Sequence, residues 1–172
     1  MKLIIIILSL IFCSSESSFS QDIFVAARNN DTVTLKTYIT SGIKIDSTDS
    51  RGSTPLIIAV YNGNYNAARI LLSNGAKTDF SDRSGNTALM GACFKGYIDM
   101  VVLLAQYKCD INQINFNGAT GLIFASTFGH ASIVKFLLSR NAEKDIKDKW
   151  GKTAMDYAVN QENAEISALL KN

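Results

Sequence analysis

The sequence is poor in the residues that build catalytic and metal sites. It has one histidine and three cysteines among 172 residues, and no Cys-x-x-Cys pair. Zinc sites need three or four clustered protein ligands, so no metal site is expected. A glycine-rich phosphate loop, a nucleotide fingerprint and a paired acidic site are also missing. We therefore predict no catalytic residue, no cofactor and no metal, and we do not expect an enzyme.

A strong charge bias and a proline-rich or Ser/Gly-rich linker are missing as well. The 17 Lys+Arg and 15 Asp+Glu give a net charge of +2, which does not favour a nucleic-acid partner. The chain contains a single proline, and 47% of its residues are hydrophobic. This composition indicates one compact domain with a real core rather than two domains or a disordered tail.

The first twenty residues differ from the rest of the chain. Lys2 precedes an almost entirely apolar run over residues 3–12, which is too short to span the ~30 Å hydrocarbon core as a stable helix. Ser18-Phe19-Ser20 then has the small-x-small form of a signal-peptidase site. We interpret residues 1–20 as a cleaved export signal with Gln21 as the first mature residue. The protein is accordingly expected to be periplasmic or secreted, without a stable membrane span.

Two alternatives for this segment stay open. It could be a buried N-terminal helix, although ten successive residues of this kind leave no polar side for water. Leu10-Ile11-Phe12-Cys13 is also similar to a bacterial lipoprotein box, which would acylate Cys13, although that pattern has a small residue where Phe12 stands. Beyond it only Cys93 and Cys109 remain, which is not a disulfide framework.

A pattern with a period of 33 residues dominates the remaining chain. Its four copies begin with glycine and continue with threonine two positions later and alanine seven positions later. Leucine pairs follow in step, with the second shifted by one residue. The glycines are Gly52, Gly85, Gly118 and Gly151, and the leucine pairs are Leu71-Leu72, Leu103-Leu104, Leu137-Leu138 and Leu169-Leu170.

The repeated positions have physical reasons. The threonines (Thr54, Thr87, Thr120 and Thr153) are placed to cap a helix start, where Pro55 also fits. The alanines (Ala59, Ala92, Ala125 and Ala158) allow neighbouring short helices to approach closely. Gly63, Gly96 and Gly129 are placed to end the first helix of each unit. Gly42, Gly75, Lys108 and Asn141 share a later position suited to the left-handed conformation, so Lys108 must be strained or adjust.

This pattern resembles the ankyrin repeat. The second unit matches closely through Asp49, Gly52, Thr54-Pro55-Leu56, Ala59, Gly63, Leu71-Leu72 and Gly75-Ala76, and the resemblance covers residues 22–172. It implies an all-α solenoid of stacked helix–turn–helix units with hairpin-like loops. We expect one ankyrin-repeat domain over residues 21–172, with approximate units 22–47, 48–80, 81–113, 114–146 and 147–172, of which the two terminal ones are caps.

The histidine, cysteines and aspartates of the repeats are better explained by structural roles in this architecture than by catalytic ones. His130 follows Gly129 at a position where the ankyrin family commonly has a histidine that hydrogen-bonds at a helix start. Cys93 and Cys109 align with small or apolar packing residues, so a Cys–His nucleophile is not expected. Aspartates recur at the hairpins, where they usually bond to turn backbone.

The resemblance also implies where a partner binds, since ankyrin proteins use the concave face formed by hairpin tips and the exposed edges of first helices. At those positions this chain has aromatic and basic residues: Arg28, Arg51, Tyr61, Arg83, Phe94, Lys95, Phe116, Phe128, Lys149 and Trp150. Trp, Tyr and Arg dominate interface hot spots. We predict a monomer that binds another protein. The basic residues in this set weakly favour a partner with acidic groups. Alternatively, some rings fold back over neighbouring units.

Two functions follow from this interpretation. One is an exported, non-catalytic protein that masks or inhibits a partner protein. The other is a scaffold or accessory factor for an envelope enzyme. If the rings have no packing role, Trp150→Ala and Phe94→Ala should leave folding nearly intact.

Overall fold

The structure, a computed structural model, describes residues 23–171. Ten helices in this range form five successive pairs, which confirms the all-α solenoid. Outside the described residues lie the export signal predicted at 1–20 (which includes Cys13), Gln21, Asp22 and Asn172. The helices are α1 (residues 23–28), α2 (Thr32–Thr40), α3 (Pro55–Tyr61), α4 (Tyr65–Ser73), α5 (Ala88–Lys95), α6 (Ile98–Leu104), α7 (Gly121–Thr127), α8 (Ala131–Ser139), α9 (Ala154–Asn160) and α10 (Ala164–Lys171).

The four repeated threonines start the first helix of each unit from the second onward. Each side-chain oxygen accepts a hydrogen bond from the backbone N–H three residues later, at 3.2–3.3 Å. These bonds satisfy one of the free donors at a helix start, which confirms the predicted capping role. The helices begun in this way are α3, α5, α7 and α9.

A carboxylate or amide in each connecting loop shapes its hairpin. Asp49 Oδ1 accepts hydrogen bonds from the backbone N–H groups of Arg51 at 2.8 Å and Ser53 at 2.9 Å. Asp82, Asn115 and Asp148 bond in the same way to the residues two and four positions ahead. The only bridge of β type in residues 23–171 joins Ser81 and Thr87, so the loops are hairpin-like without being strands.

The core lies between successive units. The first helices α3, α5, α7 and α9 pack side by side, and the second helices form the next layer. The four repeated alanines (Ala59, Ala92, Ala125 and Ala158) are completely buried, as close approach of short helices requires. No helix in residues 23–171 is both long and apolar enough to cross a membrane.

The third unit departs from the others after α6. This helix ends at Leu104, two residues before the position where α4 and α8 end. Gly75 has a φ of +90° and Asn141 a φ of +61°, whereas Lys108 is not among the residues with positive φ. Its backbone thus adjusts rather than adopting a strained left-handed conformation. The Thr78 hydroxyl donates to the Lys108 carbonyl at 2.6 Å, which holds the adjusted segment.

Candidate functional site

Four of the predicted partner-binding residues form one connected group at the carboxyl ends of the first helices. The rings of Tyr61 and Phe94 stack with centroids 6.1 Å apart, and Phe128 meets Phe94 edge-on at 4.6 Å. Tyr61 and Phe128 are each 47% exposed. We call Tyr61, Phe94, Lys95 and Phe128 the helix-edge cluster. It joins three successive units in one partly apolar surface.

Phe94 lies at the centre of this cluster and is only partly exposed. Besides Tyr61 and Phe128, its ring contacts Phe124 edge-on at 6.3 Å. For Phe94 the structure thus agrees with the alternative that some rings fold back over neighbouring units, because rings of the second and fourth units pack against it. Tyr61 and Phe128 flank it and remain open to a partner.

Lys95 places a positive charge over the helix-edge cluster. Its Nζ lies 4.4 Å from the ring centroid of Tyr61 and 5.7 Å from that of Phe94. A cation over the face of an aromatic ring is attracted by the negative electrostatic potential of that face. The ammonium group is thus held against the rings while Lys95 stays exposed.

Five other predicted residues form a row along the hairpin tips, which we call the tip row: Arg51, Arg83, Phe116, Lys149 and Trp150. Hydrogen bonds between adjacent tips place them in order. Arg83 N donates to Arg51 O at 2.9 Å, Phe116 N donates to Ser84 O at 3.1 Å, and Lys149 N donates to Asn117 O at 2.8 Å. Each tip is thus tied to the next by backbone.

The tip row exposes the largest apolar side chains of the predicted set. Phe116 is 77% and Trp150 is 62% exposed. Lys149 Nζ donates to Asn117 Oδ1 at 2.6 Å and lies 4.5 Å from the Trp150 ring centroid. Lys149 therefore repeats at the tips the cation-over-ring arrangement of Lys95. Such large exposed apolar groups on a folded surface indicate an interaction site.

Arg28 is the predicted residue that lies outside both groups. It is exposed at the end of the described part of α1, at the position equivalent to Tyr61 and Phe94. Its carbonyl accepts a hydrogen bond from Asn64 Nδ2 at 2.7 Å, which ties it to the next unit. Arg28 thus extends the helix edges without being part of the cluster.

The net charge of the described chain is concentrated at the hairpin tips and helix edges. Residues 49–53, 82–86, 115–119 and 148–152, with the pairs 28–29, 61–62, 94–95, 127–128 and 160–161, include six basic and three acidic residues. The other residues of 23–171 include ten of each. Each of the three acidic residues (Asp49, Asp82 and Asp148) accepts turn N–H hydrogen bonds at one carboxylate oxygen. Asp49 Oδ2 also lies 3.6 Å from Arg51 Nε, although 71% of the Arg51 side chain stays exposed.

Comparison with known proteins agrees with this geometry. One family model, described as ankyrin repeats (3 copies), matches residues 23–115, and a second, described as ankyrin repeats (many copies), matches residues 109–158. The chain belongs to the ankyrin-repeat family. Ankyrin repeats form protein–protein interaction modules, so the protein is an interaction module of this class. No curated protein matches the chain.

In this ankyrin-repeat protein His130, Cys93 and Cys109 lie in packed surroundings. His130 does not cap its own helix: its Nε2 lies 3.3 Å from the carbonyl oxygen of Phe94 in the preceding unit. Burial raises the pKa of the Cys93 thiol far above its ordinary value. Burial, together with Asp79 and Asp110, raises the pKa of Cys109 to about 12. Both thiols are therefore protonated and weakly nucleophilic near neutral pH.

Two residues next to the helix-edge cluster and the tip row were not predicted from the sequence. Phe124 contacts Phe94, and Ile114, two positions before Phe116, is 53% exposed. Ile114 precedes the turn at residues 116–117, so no strand alternation marks it in the sequence. The positions 33 and 66 residues before Phe124 hold Gly91 and Ile58, so the repeat pattern does not mark Phe124 as a ring contact. No group of three or more potential metal-ligating side chains occurs among residues 23–171.

Proposed function

We propose that this ankyrin-repeat protein is an exported, non-catalytic module that binds and masks a partner protein through the helix-edge cluster and the tip row. The observation that carries this proposal is the connected, partly exposed ring surface of Tyr61, Phe94 and Phe128 with Lys95 held over it. Its counterpart at the tips is Trp150 with Lys149. Aromatic and basic side chains of this kind are enriched at the centres of protein interfaces.

The size of the surface suits a protein rather than a small ligand. The tip row precedes the first helices and the helix-edge cluster lies at their ends, so a seven-residue helix such as α3 separates them by about 10 Å. Along the stack, the predicted residues extend over all five units. A partner that contacts both groups must therefore present an extended face of its own.

Export is supported by the apolar run and the small-x-small site before Gln21. In an envelope compartment, a small binding module can mask a harmful or mistimed enzyme by covering its active site. The second candidate is a scaffold that holds an envelope enzyme without covering its active site. The exposed aromatic residues favour masking, because a projecting ring such as Trp150 can enter a cleft.

The test begins with capture of the partner from an envelope extract of the producing cells by the immobilised protein. The captured protein is identified, purified, and titrated with the wild type and with Phe128→Ala. We expect Phe128→Ala to weaken binding at least tenfold. The matched control is Phe80→Ala, which removes a ring of similar exposure that also has a lysine (Lys77) nearby but lies outside both groups.

An activity assay on the purified partner separates the two roles. Masking predicts that a saturating amount of the ankyrin-repeat protein abolishes the partner's activity, whereas a scaffold leaves that activity unchanged or raises it. Equal weakening by Phe128→Ala and Phe80→Ala would contradict the assigned surface. N-terminal sequencing of the exported protein tests cleavage before Gln21 against acylation at Cys13.

A further inference from the structure

Gly91 lies inside helix α5, where glycine lowers the stability of the helix. It stands between the buried residues Met90 and Ala92, and its backbone is not in the left-handed region. Glycine in a helix interior is less stable than alanine by about 1 kcal/mol. A Cβ placed on Gly91 would meet only Tyr61 Cδ2, at 3.7 Å, which is ordinary contact. Neither the backbone nor the packing of residues 23–171 therefore requires glycine here.

The missing side chain leaves an opening within the helix-edge cluster. The equivalent positions on the two flanking helices hold Ile58 and Phe124. Phe94 and Lys95 follow three and four residues later on α5, so they share its face with Gly91. The opening is thus bordered by apolar groups, with the Lys95 ammonium at its margin over the Tyr61 ring.

Charge indicates what kind of segment can approach this opening. Lys95 is the charged residue nearest to it along α5, and the tip row adds Arg51, Arg83 and Lys149. Asp82 and Asp148 accept hydrogen bonds from turn N–H groups, and Asp49 does so while also pairing with Arg51 at 3.6 Å. Arg83 and Lys149 have no ion-pair partner among residues 23–171. An acidic segment is attracted, whereas a basic one is repelled.

We infer that the space above Gly91 is a recess that receives one apolar side chain from an acidic peptide segment of the partner. The inference rests on the proposed function, since it names what that surface recognises. Carboxylates next to the inserted side chain bind Lys95, and those further along an extended chain reach the tip row. A distance of about 10 Å corresponds to three residues of extended peptide.

The test uses a defined probe, so that it does not depend on finding the partner. Fluorescein-labelled nine-residue peptides carry alternating Glu and Ser around one central guest residue, which is Phe, Leu or Gly. Matching peptides replace each Glu with Lys. Fluorescence anisotropy at low ionic strength measures their affinity for the wild-type protein and for Gly91→Ala, Gly91→Leu, Lys95→Met and Phe128→Ala.

We expect the acidic Phe and Leu peptides to bind at least tenfold more tightly than the acidic Gly peptide, and the Lys peptides not to bind. Gly91→Leu should remove the preference for Phe and Leu, and Gly91→Ala should reduce it. Thermal unfolding should show both variants to be at least as stable as the wild type. The control is Ser132→Leu, which adds the same side chain at an exposed position of α8 and should change no affinity.

The outcomes distinguish the recess at Gly91 from the binding surface proposed above. If Gly91→Leu binds every peptide as the wild type does while Lys95→Met and Phe128→Ala weaken binding, the surface stands and the recess is wrong. If none of these substitutions changes binding, both the recess and the assigned surface are wrong. Equal or tighter binding of the Lys peptides, or no binding of any peptide at millimolar concentration, overturns the inference.

Discussion

The sulphur of Cys93 occupies the space that a side chain on Gly121 would need. A Cβ built on Gly121 would lie 3.1 Å from Cys93 Sγ and 3.6 Å from Leu89 Cγ. The second, third and fifth units have proline or alanine where this glycine stands, and the second, fourth and fifth have valine or serine where this cysteine stands. The two residues thus compensate for one another across the boundary between the third and fourth units.

This pairing predicts non-additive stabilities. Gly121→Ala alone should lower the free energy of unfolding by about 1–2 kcal/mol, since overpacking a tight site outweighs the better helix propensity of alanine. Cys93→Ala alone should cost a similar amount through its cavity. The double variant should be more stable than the sum of the two effects predicts, as measured by urea unfolding. An unchanged cost of Gly121→Ala in the Cys93→Ala background would show that the sulphur is not the obstacle.

Ser126 offers a stabilising substitution. It is completely buried, and its hydroxyl finds no hydrogen-bond partner among residues 23–171. A buried hydroxyl without a partner costs about 1–3 kcal/mol. Ser126→Ala should therefore raise the free energy of unfolding by about 1 kcal/mol. In urea unfolding this appears as a higher midpoint with an unchanged m value. Ser132→Ala on the exposed side of α8 is the matched control and should stay within about 0.5 kcal/mol. A loss of stability in Ser126→Ala would mean that the hydroxyl is bonded in solution.

The features predicted correctly from the sequence depend on neighbours within one unit. Threonine caps act over three residues and hairpin carboxylates over two and four, and the 33-residue spacing repeats each signal. The features that were missed join different units. The His130 contact with the Phe94 carbonyl and the pairing of Cys93 with Gly121 involve residues about thirty positions apart. The packing of Phe94 against rings of neighbouring units was left open as an alternative. The geometry of these contacts depends on how the units stack, which periodicity alone does not describe.

Tyr157 and Asp148 give the last unit a specific dependence on pH. The Tyr157 hydroxyl donates to Asp148 Oδ2, and this bond, with burial and the carboxylate charge, raises the pKa of Tyr157 to about 12. Burial raises the pKa of Asp148, but hydrogen bonds from Tyr157 and from the N–H groups of Lys152 and Trp150 outweigh it, so the net shift is downward.

The stabilisation that accompanies these two pKa shifts is lost at opposite ends of the pH scale. The contribution of Tyr157 is complete below about pH 10, the ordinary pKa of tyrosine, and is lost as the pH rises toward 12. The contribution of Asp148 is complete above its ordinary pKa and is lost as the pH falls through the lowered one. Tyr157→Phe should cost about 1 kcal/mol at neutral pH and reduce both dependences. Urea unfolding at pH 3, 7 and 11 measures this, and a variant with an unchanged alkaline loss would contradict it.

Phe94 and Trp150 are expected to respond differently to removal of their rings. Phe94 packs against Tyr61, Phe124 and Phe128, so Phe94→Ala should lower the free energy of unfolding by about 2–3 kcal/mol and also weaken partner binding. Trp150 is 62% exposed, so Trp150→Ala should stay within about 0.5 kcal/mol of the wild type in stability.

The binding cost of Trp150→Ala should nevertheless reach about 2 kcal/mol, which is the scale of an interface hot spot. Urea unfolding and titration of the captured partner measure the two quantities separately. Lys36→Ala on the exposed side of α2 is a control for binding, because it lies outside the helix-edge cluster and the tip row. If Trp150→Ala instead lowered stability by several kcal/mol, its ring would belong to the packing of the last unit. Unchanged stability together with unchanged affinity would remove Trp150 from the partner surface.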